Sequence, residues 1–335
     1  MNTNFNYLLG LILAFVSTLL LAPLVIYLLK KEKVKQTILH YVDNHASKAG
    51  TPTMGGIIFI VTISLLSIWL SGGDKSLTNV LIIVFFGYGL VGFLDDFIKF
   101  KFKRNLGLRA YQKIIFQVAI SAIVAVFVYK SPLIGSTLYV PFVNKMIDVG
   151  VWIIPITMIV FLASSNSVNL IDGLDGLSAS TVIVYTLSFI FILFIFIMDR
   201  IAGASQIVLA EYKSLILVCC IVVGALMAFL LFNGFPAKIF MGDTGSLALG
   251  SFVASVAIFT KSTLYIPLLG IAFVITALSV IIQVAYYKLT KKRVFLMAPL
   301  HHHFERKGYH EVKIVSWYAV LSMVAGIIVV MIELV

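Results

Sequence analysis

An uncharged run at residues 214–232 reads Ser214-Leu-Ile-Leu-Val-Cys-Cys-Ile-Val-Val-Gly-Ala-Leu-Met-Ala-Phe-Leu-Leu-Phe232. A helix of this length crosses the hydrocarbon core of a bilayer, which needs about 20 apolar residues. The chain of 335 residues is apolar throughout, with 61% hydrophobic and 12% charged residues and a mean hydropathy of +1.08. This composition excludes a pair of soluble domains and predicts an all-α polytopic membrane protein.

Apolar runs of similar length recur along the whole sequence and predict about ten transmembrane helices. They leave no room for a sizeable soluble domain, so we predict a single integral membrane domain over residues 1–335. Segments 151–164 and 247–260 are short enough to be buried or re-entrant helices instead. The predicted spans lie near 5–29, 55–71, 77–94, 114–129, 151–164, 179–198, 214–232, 247–260, 264–287 and 314–335.

The distribution of basic residues supports an even number of spans. With ten spans, alternate breaks share one side of the membrane, and these breaks hold 19 of the 25 Lys and Arg residues. The basic-rich side faces the cytoplasm, which predicts that both termini are periplasmic or extracellular. The net charge of +11 does not indicate nucleic-acid binding, because the basic residues alternate with membrane spans and form no stripe on a soluble fold.

A short polar segment at residues 135–148 separates the fourth and fifth predicted spans. It is too short and broken to cross a membrane. Its residues alternate in hydrophobicity around an Asn144-Lys145 turn, which predicts a small hairpin on the outer side of the bundle.

Acidic residues are scarce, yet five of the 14 fall in three clusters at breaks on the basic-rich side. The first cluster, Asp95-Asp96, ends the third span. Adjacent carboxylates repel each other unless a cation lies between them, and Mg²⁺ prefers carboxylate oxygens together with substrate phosphates. A solvated helix end is the alternative for this pair alone. We predict Mg²⁺ as the cofactor, with Asp243 as the first choice of ligand and with Asp172, Asp95 and Asp96 near it.

The second cluster reads Asn169-Leu-Ile-Asp172-Gly-Leu-Asp175-Gly176. Asn169, Asp172 and Asp175 recur every three residues, so one helical face or a tight turn would direct all three the same way. Two successive Asp-Gly steps are also compatible with two plain turns.

The third cluster reads Phe240-Met-Gly-Asp243-Thr-Gly-Ser246 and precedes the eighth span. Thr244 or Ser246 can cap that helix, whose free N–H groups would bind an anion. Asp243 is placed to hold a cation against such an anion. Phe240 can stack on a nucleobase, although an aromatic residue at a membrane interface is more often an anchor.

Two further loops on the same side carry candidate substrate contacts. Three consecutive imidazoles, His301, His302 and His303, point in different directions, so they do not readily chelate one ion. We expect His302 and His303, with Lys113, to bind phosphate oxygens, or the imidazoles to act as acid or base; a solvated loop is the alternative. Lys48 lies in a Gly-rich and hydroxyl-rich loop that suits phosphate contact, but this signal is weak by itself.

Together these motifs resemble the phospho-N-acetylmuramoyl-pentapeptide-transferase family, within the polyprenyl-phosphate N-acetylhexosamine-1-phosphate transferase superfamily. The similarity covers essentially the whole chain. The last motif separates the muramoyl branch from relatives that use N-acetylglucosamine. The resemblance is carried by Lys48 with Thr51–Gly56, Asp95-Asp96-Phe97 with Lys99, Asn169–Gly176, Phe240–Ser246 and Ala298–Glu305.

The resemblance implies an enzyme of the bacterial cytoplasmic membrane with ten spans and a cytoplasmic active site. The implied reaction transfers phospho-N-acetylmuramoyl-pentapeptide from UDP-MurNAc-pentapeptide to undecaprenyl phosphate. Its products are lipid I and UMP, in peptidoglycan biosynthesis. The implied partners are these two substrates and the lipid bilayer, and homodimers are common in the family.

The resemblance also implies roles for individual residues. Asp95 would remove or position the proton of the lipid phosphate. That phosphate is largely dianionic near neutral pH, so we favour its direct attack over a phospho-aspartyl intermediate. The implied catalytic residues are Asp95, Asp96, Lys113, Asp172, Asp243, His302 and His303. The residues implied around uridine and ribose are Lys99, Asn169, Asp175, Phe240 and Gln283. The remaining implied substrate contacts are Lys48, Thr53, Asn233, Ala298 and His301.

Three other classes compete with this interpretation. Another polyprenyl-phosphate N-acetylhexosamine-1-phosphate transferase is the nearest. An intramembrane prenyltransferase would need Asp-Asp-x-x-Asp spacing, whereas the fifth position here is Lys99. A cation or proton transporter would carry acids in the middle of its spans, whereas the clustered acids here lie in the breaks.

Overall fold

The computed structural model describes residues 3–32, 50–102 and 107–334. Within these ranges the chain forms α-helices and one two-stranded sheet. The helices are α1 (Thr3–Lys31), α2 (Gly56–Ser71), α3 (Ser76–Lys101), α4 (Ala110–Lys130), α5 (Ile153–Ile171), α6 (Leu177–Ile195), α7 (Gln206–Asn233), α8 (Gly242–Phe259), α9 (Ile266–Leu269), α10 (Ile271–Thr290), α11 (Leu300–Arg306) and α12 (Glu311–Glu333). The strands are β1 (Thr137–Val140) and β2 (Lys145–Asp148).

The all-α polytopic architecture predicted from hydropathy is confirmed. Among the described residues, nine helices are long and apolar enough to cross a membrane, and the apolar helix α2 is shorter. The fifth predicted span, 151–164, is a full-length helix that continues to Ile171. The ninth, 264–287, is divided into a 3₁₀ turn, α9 and α10, because Pro267 suits only the first turn of a helix and Gly270 follows it. Helix α11 was not predicted.

Helix α8 forms the centre of the bundle. It packs mainly against α3 and α5, and 89% of its residues are buried. Glycines permit the close approach of its neighbours. A Cβ atom on Gly92 of α3 would lie 2.0 Å from the Asp243 carbonyl oxygen, and one on Gly250 would lie 2.4 Å from Ser165 Cα. The start of α8 is therefore held tightly against the end of α3 that carries Asp95.

The predicted hairpin at 135–148 is confirmed. Strands β1 and β2 pair antiparallel from Thr137 opposite Asp148 to Val140 opposite Lys145. The Tyr139 N–H donates to the Lys261 carbonyl oxygen at 2.9 Å, just beyond the end of α8. Since α8 has 18 residues and a helix rises 1.5 Å per residue, about 27 Å separate the hairpin from Asp243. The hairpin and the acidic clusters thus lie at opposite ends of the bundle.

Candidate active site

Asp243, in the first turn of α8, joins groups from three other helices. Its Oδ1 accepts a hydrogen bond from Asn169 Nδ2 of α5 at 2.7 Å. Its Oδ2 accepts from Lys113 Nζ of α4 at 2.8 Å and from Lys99 Nζ of α3 at 3.1 Å. Three predicted site residues from three different helices therefore converge on the Asp243 carboxylate.

The ammonium group of Lys99 lies among three carboxylates. Its Nζ is 2.6 Å from Asp95 Oδ2, 3.8 Å from Asp96 Oδ1 and 3.1 Å from Asp243 Oδ2. One oxygen from each of these carboxylates lies within 4.8 Å of the others. These ligand atoms are all carboxylate oxygens, and the positively charged ammonium group of Lys99 lies between them. The residues present therefore fit a hard divalent cation, which would share this centre with a partly exposed lysine.

The sequence predicted that the first N–H groups of α8 bind an anion. In the structure the Asp96 carboxylate is bound there. Its Oδ2 accepts from the Thr244 N–H at 2.9 Å and from Thr244 Oγ1 at 2.7 Å. The prediction that Thr244 or Ser246 caps α8 is wrong, because the helix begins at Gly242 and its cap position is Met241. Asp96 is buried, so this contact locks the end of α3 onto α8.

Asp95 is held on both of its oxygens. Oδ2 pairs with Lys99, and Oδ1 accepts from the Leu108 N–H at 2.8 Å. Gly107 permits this approach, since a Cβ atom there would lie 2.6 Å from Asp95 Oδ1. The residues just before α4, Gly107 and Leu108, thus lie against Asp95.

The second acidic cluster does not form one helical face, because α5 ends at Ile171. Asn169 points from the last turn of α5 to Asp243, and it also donates to Ser246 Oγ at 2.8 Å. Asp175 is buried, and its Oδ2 accepts the Ala237 N–H at 2.9 Å, so it shapes the loop before α8. Ser246 is a contact that sequence reasoning assigned only as a cap.

Asp172 lies in the turn between α5 and α6, close to the other acids. Burial raises the pKa of Asp172 well above its usual range, and the negative charges of Asp243 and Asp96 add to the rise. A nearby cation would reverse part of this shift. Asp172 is not one of the three carboxylates whose oxygens lie within 4.8 Å of one another, so its place in the predicted ligand set stays a prediction.

The histidine tract reaches the site through α11. His301 is fully buried beside Gly173, where a Cβ atom would lie 2.4 Å from His301 Nε2 and 3.1 Å from His302 Nε2. Burial holds the pKa of His301 well below its usual range, so this imidazole is neutral at physiological pH. Neither of its ring nitrogens has a hydrogen-bond partner within the described part of the chain.

The other two histidines have different surroundings. His302 Nδ1 pairs with Glu305 Oε2 at 2.5 Å, one turn along α11. His303 Nδ1 accepts the Leu296 N–H at 3.1 Å, so it contacts the preceding loop. Of the two histidines predicted to be catalytic, only His302 is placed beside the second acidic cluster. Glu305 was part of a quoted motif, and its spacing of three from His302 was the signal for this pair.

Replacing Gly173 by alanine is expected to displace the histidine tract. His301 is fully buried and the added methyl group would lie 2.4 Å from its Nε2, so the imidazole or α11 must shift. Misplacement of about 1 Å lowers catalytic rates about 100-fold, and we expect a loss of that order in initial-rate measurements. Gly203→Ala is the matched control, since a Cβ atom there meets nothing within 4 Å. Equal rates for both variants would contradict this role of Gly173.

Two segments that are distant in sequence pair through their backbones beside the site. The Phe240 N–H donates to the Pro52 carbonyl oxygen, and the Gly55 N–H donates to the Phe240 carbonyl oxygen, both at 2.9 Å. This pairing brings Thr53 close to Gly242, where a Cβ atom would lie 2.9 Å from Thr53 Oγ1. Thr53 therefore borders the carboxylate centre, since a Cβ atom on Gly242 would also lie 2.5 Å from Asp96 Oδ2.

Two other predicted substrate contacts, Gln283 and Asn233, hydrogen-bond to the backbone of nearby loops. Gln283 Oε1 accepts the N–H groups of Val294 and Phe295 at 3.0 and 2.9 Å, and its Nε2 donates to the Phe295 carbonyl oxygen at 3.1 Å. Gln283 thus holds the loop that leads through Ala298 to α11. Asn233 Nδ2 donates to the Ile239 carbonyl oxygen at 2.9 Å. Lys48 lies outside the described residues.

A bundle of membrane-length helices with a carboxylate and lysine centre at one end defines an integral membrane enzyme. Comparison with known proteins specifies it further. The family model for Glycosyl transferase family 4 matches residues 78–261, and phospho-N-acetylmuramoyl-pentapeptide-transferase signature 1 matches residues 48–60. The chain belongs to the phospho-N-acetylmuramoyl-pentapeptide-transferase family, which confirms the resemblance seen in its motifs.

Curated relatives of that name cover nearly the whole chain. The protein of Clostridioides difficile strain 630 is 42% identical over 93% of both chains. That of Clostridium novyi strain NT is 41% identical over 95% of this chain and 94% of the relative. That of Clostridium kluyveri strain NBRC 12016 is 43% identical over 94% of this chain and 95% of the relative.

Proposed function

We propose that this protein transfers phospho-N-acetylmuramoyl-pentapeptide from UDP-MurNAc-pentapeptide to undecaprenyl phosphate, with Mg²⁺ as cofactor. The products are lipid I and UMP, and the process served is peptidoglycan biosynthesis. The observation that carries the proposal is the convergence of Lys99, Lys113 and Asn169 on Asp243. Cationic and carboxylate groups in one centre are what a metal-bound diphosphate requires.

The carboxylates and the lysines have different roles at this centre. Asp243, Asp95 and Asp96 would hold Mg²⁺, with Asp172 at the edge, and the bound ion neutralises charge on a diphosphate and on its leaving group. Lys99 is partly exposed, so its ammonium group can turn from the carboxylates toward a phosphate oxygen.

Other residues of the site suit the remainder of the substrates. We infer that Lys113 provides a second cation for the phosphates and that His302 makes a further contact with them. Phe240 provides a ring for the uracil base, and Thr53 a hydroxyl group beside it. The lipid phosphate needs no covalent enzyme intermediate, because it is already a dianion near neutral pH.

The charge distribution supports an orientation in the membrane. We infer that the end of the bundle with the acidic centre faces the cytoplasm of a bacterium, since it belongs to the side with 19 of the 25 basic residues. Both termini and the β1–β2 hairpin then lie outside, and ten spans cross the bilayer. A homodimer is expected from the family resemblance.

One assay tests the proposed reaction. The purified chain should release UMP from UDP-MurNAc-pentapeptide only when undecaprenyl phosphate and Mg²⁺ are both present. Replacing the donor with UDP-N-acetylglucosamine separates the muramoyl reaction from that of the nearest alternative class. Absence of UMP release from the muramoyl donor under all conditions would refute the proposal, and release from the N-acetylglucosamine donor alone would favour the alternative.

A further inference from the structure

A second layer of polar side chains lies directly behind the acidic centre. Gln117 is fully buried in α4, one helical turn beyond Lys113. Asn166 lies in α5, one turn before Asn169. Asn166 Nδ2 donates to Gln117 Oε1 at 2.8 Å and to the Leu162 carbonyl oxygen of its own helix at 2.8 Å. The two helices that present Lys113 and Asn169 to Asp243 are thus joined by one amide pair.

Helix α3, which carries Lys99, also contacts Gln117. The Tyr88 hydroxyl group of α3 donates to the Gln117 backbone carbonyl oxygen at 3.1 Å. Tyr88 precedes Asp95 by seven residues, which is about two helical turns and places both on one face. A single residue of α4 therefore contacts α3 and α5. Within the described ranges, these three helices supply the side chains that hydrogen-bond to Asp243.

The chemistry of Gln117 argues against a purely packing role. Its Nε2 is buried and has no hydrogen-bond partner among the described residues. An amide without a partner in an apolar interior is costly, and an apolar residue of similar volume would fill the same space. Hydrogen bonds between polar side chains fix one helix against another inside a membrane. The amide pair is therefore suited to set the separation and register of α4 and α5.

We propose that Gln117 and Asn166 are positioning residues for the transfer reaction. Their hydrogen bond holds Lys113 Nζ and Asn169 Nδ2 at the two oxygens of Asp243, one turn away. The inference rests on the proposed function for its readout, and on the observed contacts for its geometry. Neither residue was among the predicted site residues.

The test compares two replacements of Gln117, one without and one with a hydrogen-bond acceptor for Asn166. Gln117→Met keeps the length and volume of the side chain but removes the acceptor for Asn166. Gln117→Glu, neutral when buried, keeps that acceptor. We expect Gln117→Met to lower kcat about 10- to 100-fold, as for other small misplacements of reacting groups, with KM within about threefold of the wild type. We expect Gln117→Glu to restore most of kcat.

Further variants separate positioning from general damage. Asn166→Leu should lower kcat as much as Gln117→Met does. The double variant should have a kcat only slightly lower than that of either single variant, since the effects of replacing two coupled residues are not additive. Thr157→Val is the matched control, because Thr157 is fully buried in α5 and its hydroxyl group has no hydrogen-bond partner among the described residues. The kcat and Tm of this variant should equal those of the wild type.

Each outcome decides the inference. Wild-type kcat in Gln117→Met, failure of Gln117→Glu to restore it, or full additivity with Asn166→Leu would overturn the positioning role. A loss of kcat explained by an equal loss of folded protein would overturn it as well. Failure of the proposed function is distinguishable, because the wild-type chain itself would then release no UMP.

Discussion

Replacing Asp243 with asparagine is expected to abolish transfer, with UMP release at least about 1,000-fold below that of the wild type. Removal of one preorganised electrostatic group costs about 100- to 1,000-fold, and Asp243 combines several such contacts. Asparagine keeps the size of the side chain but leaves Lys99 and Lys113 without their shared anion, and it removes one of the three clustered carboxylates. Initial rates at saturating substrates and Mg²⁺ measure the effect.

Asp74→Asn is the matched control for that experiment. Asp74 is also an aspartate beside a lysine, but its side chain is 71% exposed and it lies at the far end of α3 from the carboxylate centre. Surface ion pairs contribute about 0–1 kcal/mol to stability, so both the rate and the Tm should stay at wild-type values. Activity of Asp243→Asn equal to that of the control would rule out Asp243 as the centre of the site.

Replacing Gly92 with alanine should produce the second large effect. The added methyl group would lie 2.0 Å from the Asp243 carbonyl oxygen and 2.6 Å from the Thr244 nitrogen. Backbone atoms cannot turn aside as a side chain can, so α3 and α8 must separate. We expect a loss of about 100-fold in the transfer rate and a decrease of about 1–3 kcal/mol in the free energy of unfolding.

Gly87→Ala provides the comparison within the same helix. A Cβ atom on Gly87 would have its nearest neighbour, Ile120 Cδ1, at 3.4 Å, which is an ordinary contact. Alanine favours helix over glycine by about 1 kcal/mol, so this variant should keep full activity and the same or a higher Tm. If Gly92→Ala behaved in the same way, the close contact between α3 and α8 would not control the site.

Hydropathy was sufficient to predict most of the long apolar helices, because each lipid-facing helix must be apolar over a fixed length. The β1–β2 hairpin was also predicted, but its turn comprises residues 141–144 and not Asn144-Lys145, because Lys145 is the first residue of β2 and pairs with Val140. The convergence of Asp95, Asn169 and Asp243 at one end of the bundle was expected from their position in alternate breaks between the predicted spans. These features depend on the length of the apolar runs and on the position of the polar breaks between them, and both can be read directly from a sequence.

Contacts within the loops were less accessible to sequence reasoning. The regular spacing of Asn169, Asp172 and Asp175 suggested one helical face, but the helix ends between the first two. A polar side chain in a break can bind a ligand or its own backbone, and its residue type does not distinguish the two. Gln283 and His303 both contact backbone N–H groups of the loop before α11.

The burial of α8 has a consequence for biogenesis. Among the candidate spans of the described chain it is the least apolar and the most enclosed by protein, so lipid alone provides little driving force for its integration. Its main neighbours, α3 and α5, precede it in the chain. We therefore expect α8, tested alone in a translocon reporter, to enter the membrane inefficiently, and to enter fully when residues 1–233 precede it. A helix that depends on earlier segments in this way cannot be inserted first, so synthesis from the N-terminus imposes the order in which the active site is assembled.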